Sequence, residues 1–246
     1  MNYLAKLEYN GHAYKGFQRL PNAPSVQGEL ERALSELNGE PSKIKAAGRT
    51  DAGVHALGQR FNFHREKIED LEKFRVAFNR LLPNDIHIVS LEEVPEDFDA
   101  RHSSKKKVYS YRFRWGERDA LDSFNIANLG YYKFDADEFK KALSFFVGKH
   151  NFQNFTTKPE DVYGFIREID SIDVDIDSEK HVGKVTFLGD GFMTYQVRLI
   201  MGFAFRCARG QEKAEKARDL IEKTPRHIVS FKAPAEGLYL EDVIYG

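Results

Sequence analysis

Alternation of apolar and polar side chains predicts β-strands in several stretches of the chain. A period of two puts successive side chains on opposite faces of a strand. In the N-terminal half this period covers residues 3–9, 59–64 and 86–94. In the C-terminal half it covers residues 108–115, 172–176, a segment through Val185 and Phe187, and residues 238–245. Strands therefore make up much of both halves.

Between these strands, apolar residues recur with the spacing of one helix face. Ser25 is a typical N-cap for the first such segment, and Gly39 ends it. Asp70 begins the second helix, and Pro83 ends it. In the C-terminal half the same spacing predicts helices over residues 136–147, 192–206 and 212–222.

Each half of the chain runs from strand to helix to strands to helix to strand. This order predicts an α+β fold in which mainly antiparallel sheets carry their helices on one side. We expect the boundary near residue 100. It separates an N-terminal half, residues 1–100, from a C-terminal half, residues 101–246.

Composition and charge narrow the class of protein. The chain has 246 residues, 41% of them hydrophobic, which is enough for a packed core. Its net charge of -1 gives no support to nucleic-acid binding, although it is compatible with a local basic patch. The single cysteine, Cys207, excludes a disulfide framework. No signal peptide pattern and no apolar run of roughly 20 residues is present, so we expect a cytoplasmic protein.

Small residues surround one carboxylate in the stretch AAGRTDAGVHALGQ, residues 46–59. Asp51 stands between Gly48 and Gly53, two places after Arg49. An Asp before a small residue usually forms a turn with its own backbone. The flanking glycines favour a ligand site instead, because they let a ligand approach the backbone closely.

Arg198 stands in the segment FMTYQVRLIMGFAF, which is apolar on most sides. Such a helix is buried, and a buried guanidinium is costly unless it is paired. Either the side chain reaches solvent at the helix edge, or it meets a carboxylate. We choose Asp51 as the partner, because the pairing keeps that acid ionised and holds its rotamer.

One face of the predicted strand 108–115 is aromatic: Tyr109, Tyr111, Phe113 and Trp115. Most of this stripe is typical of a core. Tyr109, however, starts the strand directly after the basic run Lys105–Lys107, with Arg101 and His102 just before it. Cations beside an aromatic residue at a sheet edge are typical of a nucleic-acid contact. A solvated surface turn explains the lysine run equally well.

The chemistry is limited by the motifs that the sequence lacks. It holds no P-loop, no dinucleotide fingerprint, no G-x-S-x-G elbow and no H-E-x-x-H pair. The 8 histidines are scattered without ligand spacing, so we expect no metal. Cys207 in its apolar segment is more typical of a core residue than of a nucleophile. One carboxylate, one arginine and one tyrosine suit covalent or acid–base chemistry on a small polar group.

At residues 48–56, GRTDAGVHA, the sequence closely resembles the bacterial tRNA pseudouridine synthase A family. Further resemblances follow in the same order along almost the whole chain. They are EYNGxxYxGFQR near the start, SVQGELERAL in the first predicted helix, FDAR at 98–101, KVYSY at 107–111, GxHNF at 148–152, GFMxxxVRxIMG at 191–202 and AEGLYL at 235–240. Phe17, where the family usually has Trp, and Leu199, where Asn is common, depart from the pattern.

The resemblance implies a role for each matching residue. Asp51 matches the catalytic aspartate, which acts at the ribose of the target uridine. Arg49 matches the arginine that enters the RNA stem and helps to flip the base, and Tyr109 the tyrosine that packs against the flipped uracil. Arg198 matches the helix arginine that pairs with the catalytic acid.

The resemblance also implies a fold and partners. We expect two similar ferredoxin-like or RRM-like halves whose sheets meet around a central cleft, with the helices on the outer face. The family's homodimers isomerise uridines at positions 38, 39 and 40 in the anticodon arm of tRNA, and we expect neither cofactor nor metal. Arg101 and His102 fall where the family contacts RNA. Two other functions stay open, a non-catalytic RNA-binding protein and an aspartate-nucleophile hydrolase.

Overall fold

The computed structural model describes residues 1–158, 164–222 and 226–246. Within these residues the fold is α+β, with five α-helices and strands that pair mostly antiparallel. The chain divides into two compact units. Unit 1 comprises Met1–Lys105 together with Tyr239–Gly246, and unit 2 comprises Lys106–Leu238.

Unit 1 is a sheet with two helices. Its elements in chain order are β1 (Asn2–Tyr9), α1 (Val26–Asn38), β2 (Lys45–Ala46), β3 (His55–His64), α2 (Leu71–Leu81) and β4 (Ile86–Val94), joined by the C-terminal strand β10 (Leu238–Tyr245). The strand order is β4–β1–β3–β10. β1 pairs antiparallel with β3 and β4, β2 pairs antiparallel with β3, and β10 pairs parallel with β3.

Unit 2 holds the remaining elements. They are β5 (Ser104–Arg114), β6 (Ala127–Asn128), α3 (Ala136–Ser144), β7 (Gly148–Asn151), a 3₁₀ turn (Gln153–Phe155), β8 (Ile166–Asp177), β9 (Val182–Gly189), α4 (Gln196–Ala208) and α5 (Lys216–Glu222). The order β5–β9–β8–β7 is antiparallel throughout, and β6 pairs parallel with β5.

Local side-chain chemistry fixes the ends of the first helices as predicted. Ser25 caps α1, because its Oγ accepts a hydrogen bond from the Gly28 N–H. Gly39 ends α1 in the left-handed conformation with φ of 69°, which costs a glycine little. The Asp70 carboxylate caps α2 by accepting from the Lys73 N–H.

Aromatic side chains fill both cores. In unit 1, Phe61 packs edge-on against Phe78 of α2, and both are fully buried. In unit 2, Phe113 of β5 contacts Phe139 of α3 and Phe205 of α4 at ring-centroid distances of 5.4 and 5.0 Å. Each such ring buries a large apolar area, so these contacts dominate the packing of helix on sheet. The prediction that most of the β5 aromatic stripe is core is confirmed.

Several predicted boundaries are wrong. α4 begins at Gln196 rather than near residue 192. Tyr195, with φ of 65°, is not helical and directly precedes the first residue of α4. β5 begins at Ser104, so the lysine run lies inside the strand and not in a turn before it. α3 ends at Ser144 and α5 begins at Lys216, both shorter than predicted. The sequence pattern did not predict the short strands β2, β6 and β7.

Other expectations about architecture stay predictions. These are the similarity of the two halves, residues 1–100 and 101–246, and the central cleft with helices on the outer face. In the described part of the chain, no helix is both long and apolar enough to cross a membrane.

Candidate active site

The loop that carries Asp51 connects β2 to β3 in unit 1. The Ala47 N–H donates to the Arg60 carbonyl at 2.8 Å, which extends the pairing of the two strands into the loop. The Val54 N–H donates to the Asp51 carbonyl at 3.2 Å and closes a turn in which Gly53 has φ of 79°. Asp51 therefore stands at the first position of a tight turn, held by backbone hydrogen bonds directly before β3.

Buried hydrogen bonds hold this loop from two sides. The Tyr9 hydroxyl and Thr50 Oγ1 lie 2.8 Å apart, and both side chains are buried. Gln59, also buried, donates from Nε2 to the Gly48 carbonyl at 3.1 Å. Gly48 and Thr50, the two neighbours of Arg49, are thus fixed by partners on β3 and β1, and Asp51 follows Thr50 directly. A fixed backbone presents the two charged side chains at a defined position.

The connection between β1 and α1 packs against the same loop. The Phe17 N–H donates to the Thr50 carbonyl at 3.1 Å. A Cβ on Gly11 would stand 2.0 Å from the Val54 carbonyl oxygen. Gly16 has φ of +109°, and a Cβ there would stand 3.1 Å from the Thr50 carbonyl oxygen. Two glycines are therefore required for the close approach of these backbones.

Three consecutive residues of the loop differ in their exposure to solvent. Thr50 is buried, Asp51 is half-buried and Arg49 is exposed. Burial raises the pKa of the Tyr9 phenol well above its usual value, although hydrogen bonds with Thr50 and Gln59 act in the opposite direction. Tyr9 thus stays neutral and serves as a hydrogen-bond partner, while Arg49 reaches outward from the loop.

Asp99 organises the segment that carries Arg101 and His102. Its Oδ1 accepts from the Arg101 N–H at 2.9 Å and from the His102 N–H at 3.1 Å. Lys45 Nζ lies 3.4 Å from Oδ2. Partial burial acts to raise the pKa of Asp99, but the hydrogen bonds and nearby cations outweigh it and lower the pKa. An ionised Asp99 therefore fixes a turn that carries both exposed side chains, and its Oδ1 also lies 3.1 Å from His102 Nδ1.

In unit 2, Arg198 is 8% exposed, so its predicted burial is confirmed and the solvent-reaching alternative is wrong. Its Nε donates to the Ala233 carbonyl at 2.8 Å. Its guanidinium carbon lies 5.5 Å from the centre of the Tyr195 ring. The ion pair with Asp51 stays a prediction.

Tyr109 of β5 is 8% exposed and lies opposite Phe187 of β9. Its ring meets Phe192 edge-on at a centroid distance of 5.2 Å. Lys106 pairs with Asp170 of β8 at 2.8 Å, and this contact raises the pKa of Lys106. The lysine run is therefore partly neutralised by the sheet itself and supplies less free charge than the sequence suggests.

Cys207 lies inside α4 and is 1% exposed. Burial raises the pKa of its thiol to about 12. The thiol is therefore a core group, as predicted. In the three described ranges no cluster of His, Cys, Asp and Glu has an arrangement that could hold a metal ion.

Sequence reasoning missed four residues that position the candidate ones: Tyr9, Gln59, Asp99 and Tyr195. Tyr9 and Asp99 stand in the quoted motifs EYNGxxYxGFQR and FDAR, which was a usable signal. Gln59 is the last residue of the stretch around Asp51, but no local sequence signal predicts its hydrogen bond to the Gly48 carbonyl. Tyr195 is identified by its positive φ alone, which no sequence pattern showed.

Comparison with known proteins identifies the family of this chain. Residues 5–103 and 142–246 match the family model described as tRNA pseudouridine synthase. Among curated relatives, tRNA pseudouridine synthase A of Streptococcus agalactiae serotype Ia is 34% identical over 99% of this chain and 95% of its own length. That of Acetivibrio thermocellus is 36% identical over 97% of both chains.

A solved structure of the CRISPR endoribonuclease Cse3 bound to 19 nt RNA covers 82% of this chain and 92% of its own, with 12% identity and a TM-score of 0.19. No conclusion rests on so low a score. The family match and the full-length relatives place the chain in the class of RNA-modifying isomerases. The chain belongs to the tRNA pseudouridine synthase family, whose enzymes convert uridine to pseudouridine in tRNA.

Proposed function

We propose that this chain isomerises uridines 38, 39 and 40 in the anticodon arm of tRNA, as a cytoplasmic homodimer that needs no cofactor or metal. One observation carries the proposal. The stretch GRTDAGVHA forms a loop that is held before Asp51 by buried side chains, Tyr9 on the Thr50 hydroxyl and Gln59 on the Gly48 carbonyl, and after it by the turn in which the Val54 N–H donates to the Asp51 carbonyl. The names of the relatives support the tRNA substrate.

The reaction needs one ionised acid and a flipped base. Cleavage of the bond between uracil N1 and ribose C1′ frees the base within the site, where it rotates. A new bond then joins C5 to C1′, C5 loses its proton and N1 gains one, so nothing is oxidised or hydrolysed. Asp51 acts at the ribose, either as a nucleophile or as a base on a ribose proton.

The remaining residues bind and hold the substrate. Arg49, exposed beside Asp51, fills the space of the flipped base, because leaving the stack costs a few kcal/mol. Tyr109 packs against the uracil. Arg198 keeps Asp51 ionised and holds its rotamer. Arg101 and His102 contact the RNA backbone from the turn that Asp99 fixes.

Tritium release from tRNA that carries 5-tritiated uridine tests the reaction and its acid together. The C5 proton leaves only when the base is rejoined through C5. We expect release by the wild type and none by Asp51→Asn, while Asp97→Asn, a change at an exposed acid of the same unit, keeps the wild-type rate.

The alternatives give different results in the same assay. Bound tRNA without release by either protein is the result for a non-catalytic RNA-binding protein. Release by both proteins means that the chain catalyses the proposed reaction but that Asp51 is not its catalytic acid. A metal-dependent hydrolase loses activity when a chelator is added, whereas the proposed isomerase keeps it.

A further inference from the structure

A cavity of about 780 Å³ lies in unit 2, where the chain leaves β5. Three segments form it: the end of β5 with Trp115, the stretch Tyr131–Phe134, and the hairpin that connects β8 to β9. Its floor is aromatic, because Trp115 stacks on Phe134 at 4.5 Å between ring centroids. None of the residues that the sequence singled out for catalysis lines it.

The rim of this cavity carries basic and aromatic side chains that are open to solvent. Lys133 and Lys180 are exposed, and Tyr131 is 78% exposed. Within the described ranges no carboxylate lies at ion-pair distance from Lys133. Lys180 pairs with Asp177 at 3.0 Å, but an ion pair between exposed groups contributes little and exchanges readily for another anion.

The backbone at the cavity is held in an uncommon conformation. His181, in the β8–β9 hairpin, has φ of 55°, and Gly116 has φ of 86°. The Trp115 N–H donates to the His181 carbonyl at 3.1 Å and ties the hairpin to the end of β5. A non-glycine residue at positive φ is uncommon in proteins, and such residues occur in hairpin turns and at functional sites.

The chemistry of the rim fits a polyanion with flat groups better than a small ligand. A site for a small molecule encloses its ligand in mostly apolar walls. Exposed lysines beside an exposed aromatic ring are typical of nucleic-acid contacts, in which phosphates meet the cations and a base stacks on the ring. Glu117 also lines the cavity, and Arg114 pairs with Asp119 at 3.4 Å, so the cationic character rests on Lys133 and Lys180.

The distance between Tyr109, the proposed uracil contact, and Trp115 in the cavity indicates how long a ligand must be to reach both. From Tyr109 to Trp115 the strand advances about 20 Å. A single nucleotide bound at Tyr109 cannot reach so far, but this distance matches about seven base-pair steps of an A-form RNA duplex. We propose that the cavity is a second RNA-binding site, which contacts the phosphate backbone of the substrate about seven base pairs from the target uridine. The proposal rests on the proposed function for the identity of the RNA.

Binding to RNA hairpins of different stem length tests this site. The variant Lys133→Ala/Lys180→Ala removes two exposed charges. We expect its Kd for tRNA to rise about tenfold, and the slope of log Kd against log salt to fall by about 1.5. Hairpins with a stem of about three base pairs, about 8 Å long, should bind both proteins equally. Tyr131→Ala should show the same dependence on stem length.

The control variant Lys140→Ala/Lys149→Ala removes the same charge at exposed positions of unit 2 that do not line the cavity, and it should bind all RNAs as the wild type does. Equal binding of tRNA by all variants overturns the proposal. So does a loss that is the same for short and long stems, or a loss that accompanies dissociation of a dimer in sedimentation. Pseudouridine formation by the wild type on the short hairpin tests the proposed function separately.

Discussion

Arg198 and Ala233 hold each other through two hydrogen bonds. The Arg198 Nε donates to the Ala233 carbonyl at 2.8 Å, and the Ala233 N–H donates to the Arg198 carbonyl at 2.9 Å. One arginine therefore uses its side chain and its backbone to fix the segment that follows α5 against α4. This contact sets the guanidinium plane, because the Nε–H bond lies in the plane of the guanidinium group and has to point at the carbonyl.

Arg198→Lys should keep the positive charge and lose this orientation. A lysine has no Nε donor and no planar fork, so the Ala233 carbonyl loses its side-chain partner. We expect kcat to fall about a hundredfold, as misplacement of a catalytic group by about 1 Å does. Single-turnover kinetics measure it. Arg206→Lys, the same change on the same helix at a partly exposed position, should keep kcat within about twofold.

Thr50→Val should destabilise the fold. The change leaves the buried Tyr9 hydroxyl without the partner that lies 2.8 Å away, at a cost of about 1–3 kcal/mol. Tyr9→Phe/Thr50→Val removes both hydroxyls, so it should cost less than the sum of the two single changes. Urea unfolding of the four proteins gives the coupling energy. Additive effects would show that the two hydroxyls do not interact.

Asp99→Ala should weaken tRNA binding without changing the chemical step. Loss of the carboxylate frees the turn that presents Arg101 and His102, so we expect KM to rise about fivefold, equivalent to about 1 kcal/mol, with kcat unchanged. Asp99→Asn keeps an oxygen for the two N–H groups and should give a smaller effect. An equal fall in kcat for both variants would place Asp99 in the chemistry instead.

Asp99 also links stability to pH. Its pKa in the folded state lies below the ordinary value of an aspartate, so folding favours the ionised form. The contribution of Asp99 to the free energy of unfolding is complete above about pH 4 and is lost as the pH falls through the lower folded value. The difference in stability between wild type and Asp99→Asn should therefore be full at pH 7 and shrink in more acidic buffer. Urea unfolding at several pH values measures it.

The parts of the fold that the sequence predicted depend on local chemistry. Ser25 and Asp70 cap their helices with their own side chains, so their position in the sequence was sufficient. The start of β5 was not predictable in this way. Lys106 belongs to the strand, and it pairs with Asp170 on β8, 64 positions further along the chain. A run of three lysines looks like a turn until that partner is known.

In the candidate site, too, local sequence signals were predictable and contacts with distant residues were not. Asp51 was identified from the small residues around it and from the family resemblance, because the loop sequence is itself the signal. The hydrogen bonds that fix the loop were not visible, since Tyr9 is contributed by another strand. Tyr195 was read as part of a helix, because the apolar pattern continues through it. The apolar pattern carries no signal for its positive φ.

Cys207→Ala should leave the reaction unchanged. Burial raises the pKa of the thiol to about 12, so the thiolate fraction at neutral pH is negligible. We expect no reaction of the native protein with iodoacetamide below pH 9, and wild-type kcat for the variant. The substitution should lower the free energy of unfolding by about 1–2 kcal/mol through lost packing. Rapid alkylation of the native protein with loss of activity would contradict the assignment of Cys207 to the core.

Gly11→Ala should be more damaging than its small size suggests. The new Cβ would stand 2.0 Å from the Val54 carbonyl oxygen, and that atom is backbone of the Asp51 loop, which cannot move aside as a flexible side chain would. Gly39→Ala is the matched control. Its Cβ meets open space at φ of +69°, so it carries only the cost of the left-handed conformation, about 1–2 kcal/mol.

Urea unfolding and tritium release on both variants separate the two effects. We expect Gly39→Ala to keep its kcat and Gly11→Ala to lose both stability and kcat, because relief of the clash must displace the loop. Equal stability losses with kcat intact in both would mean that the contact between the β1–α1 connection and the Asp51 loop has no part in positioning the acid.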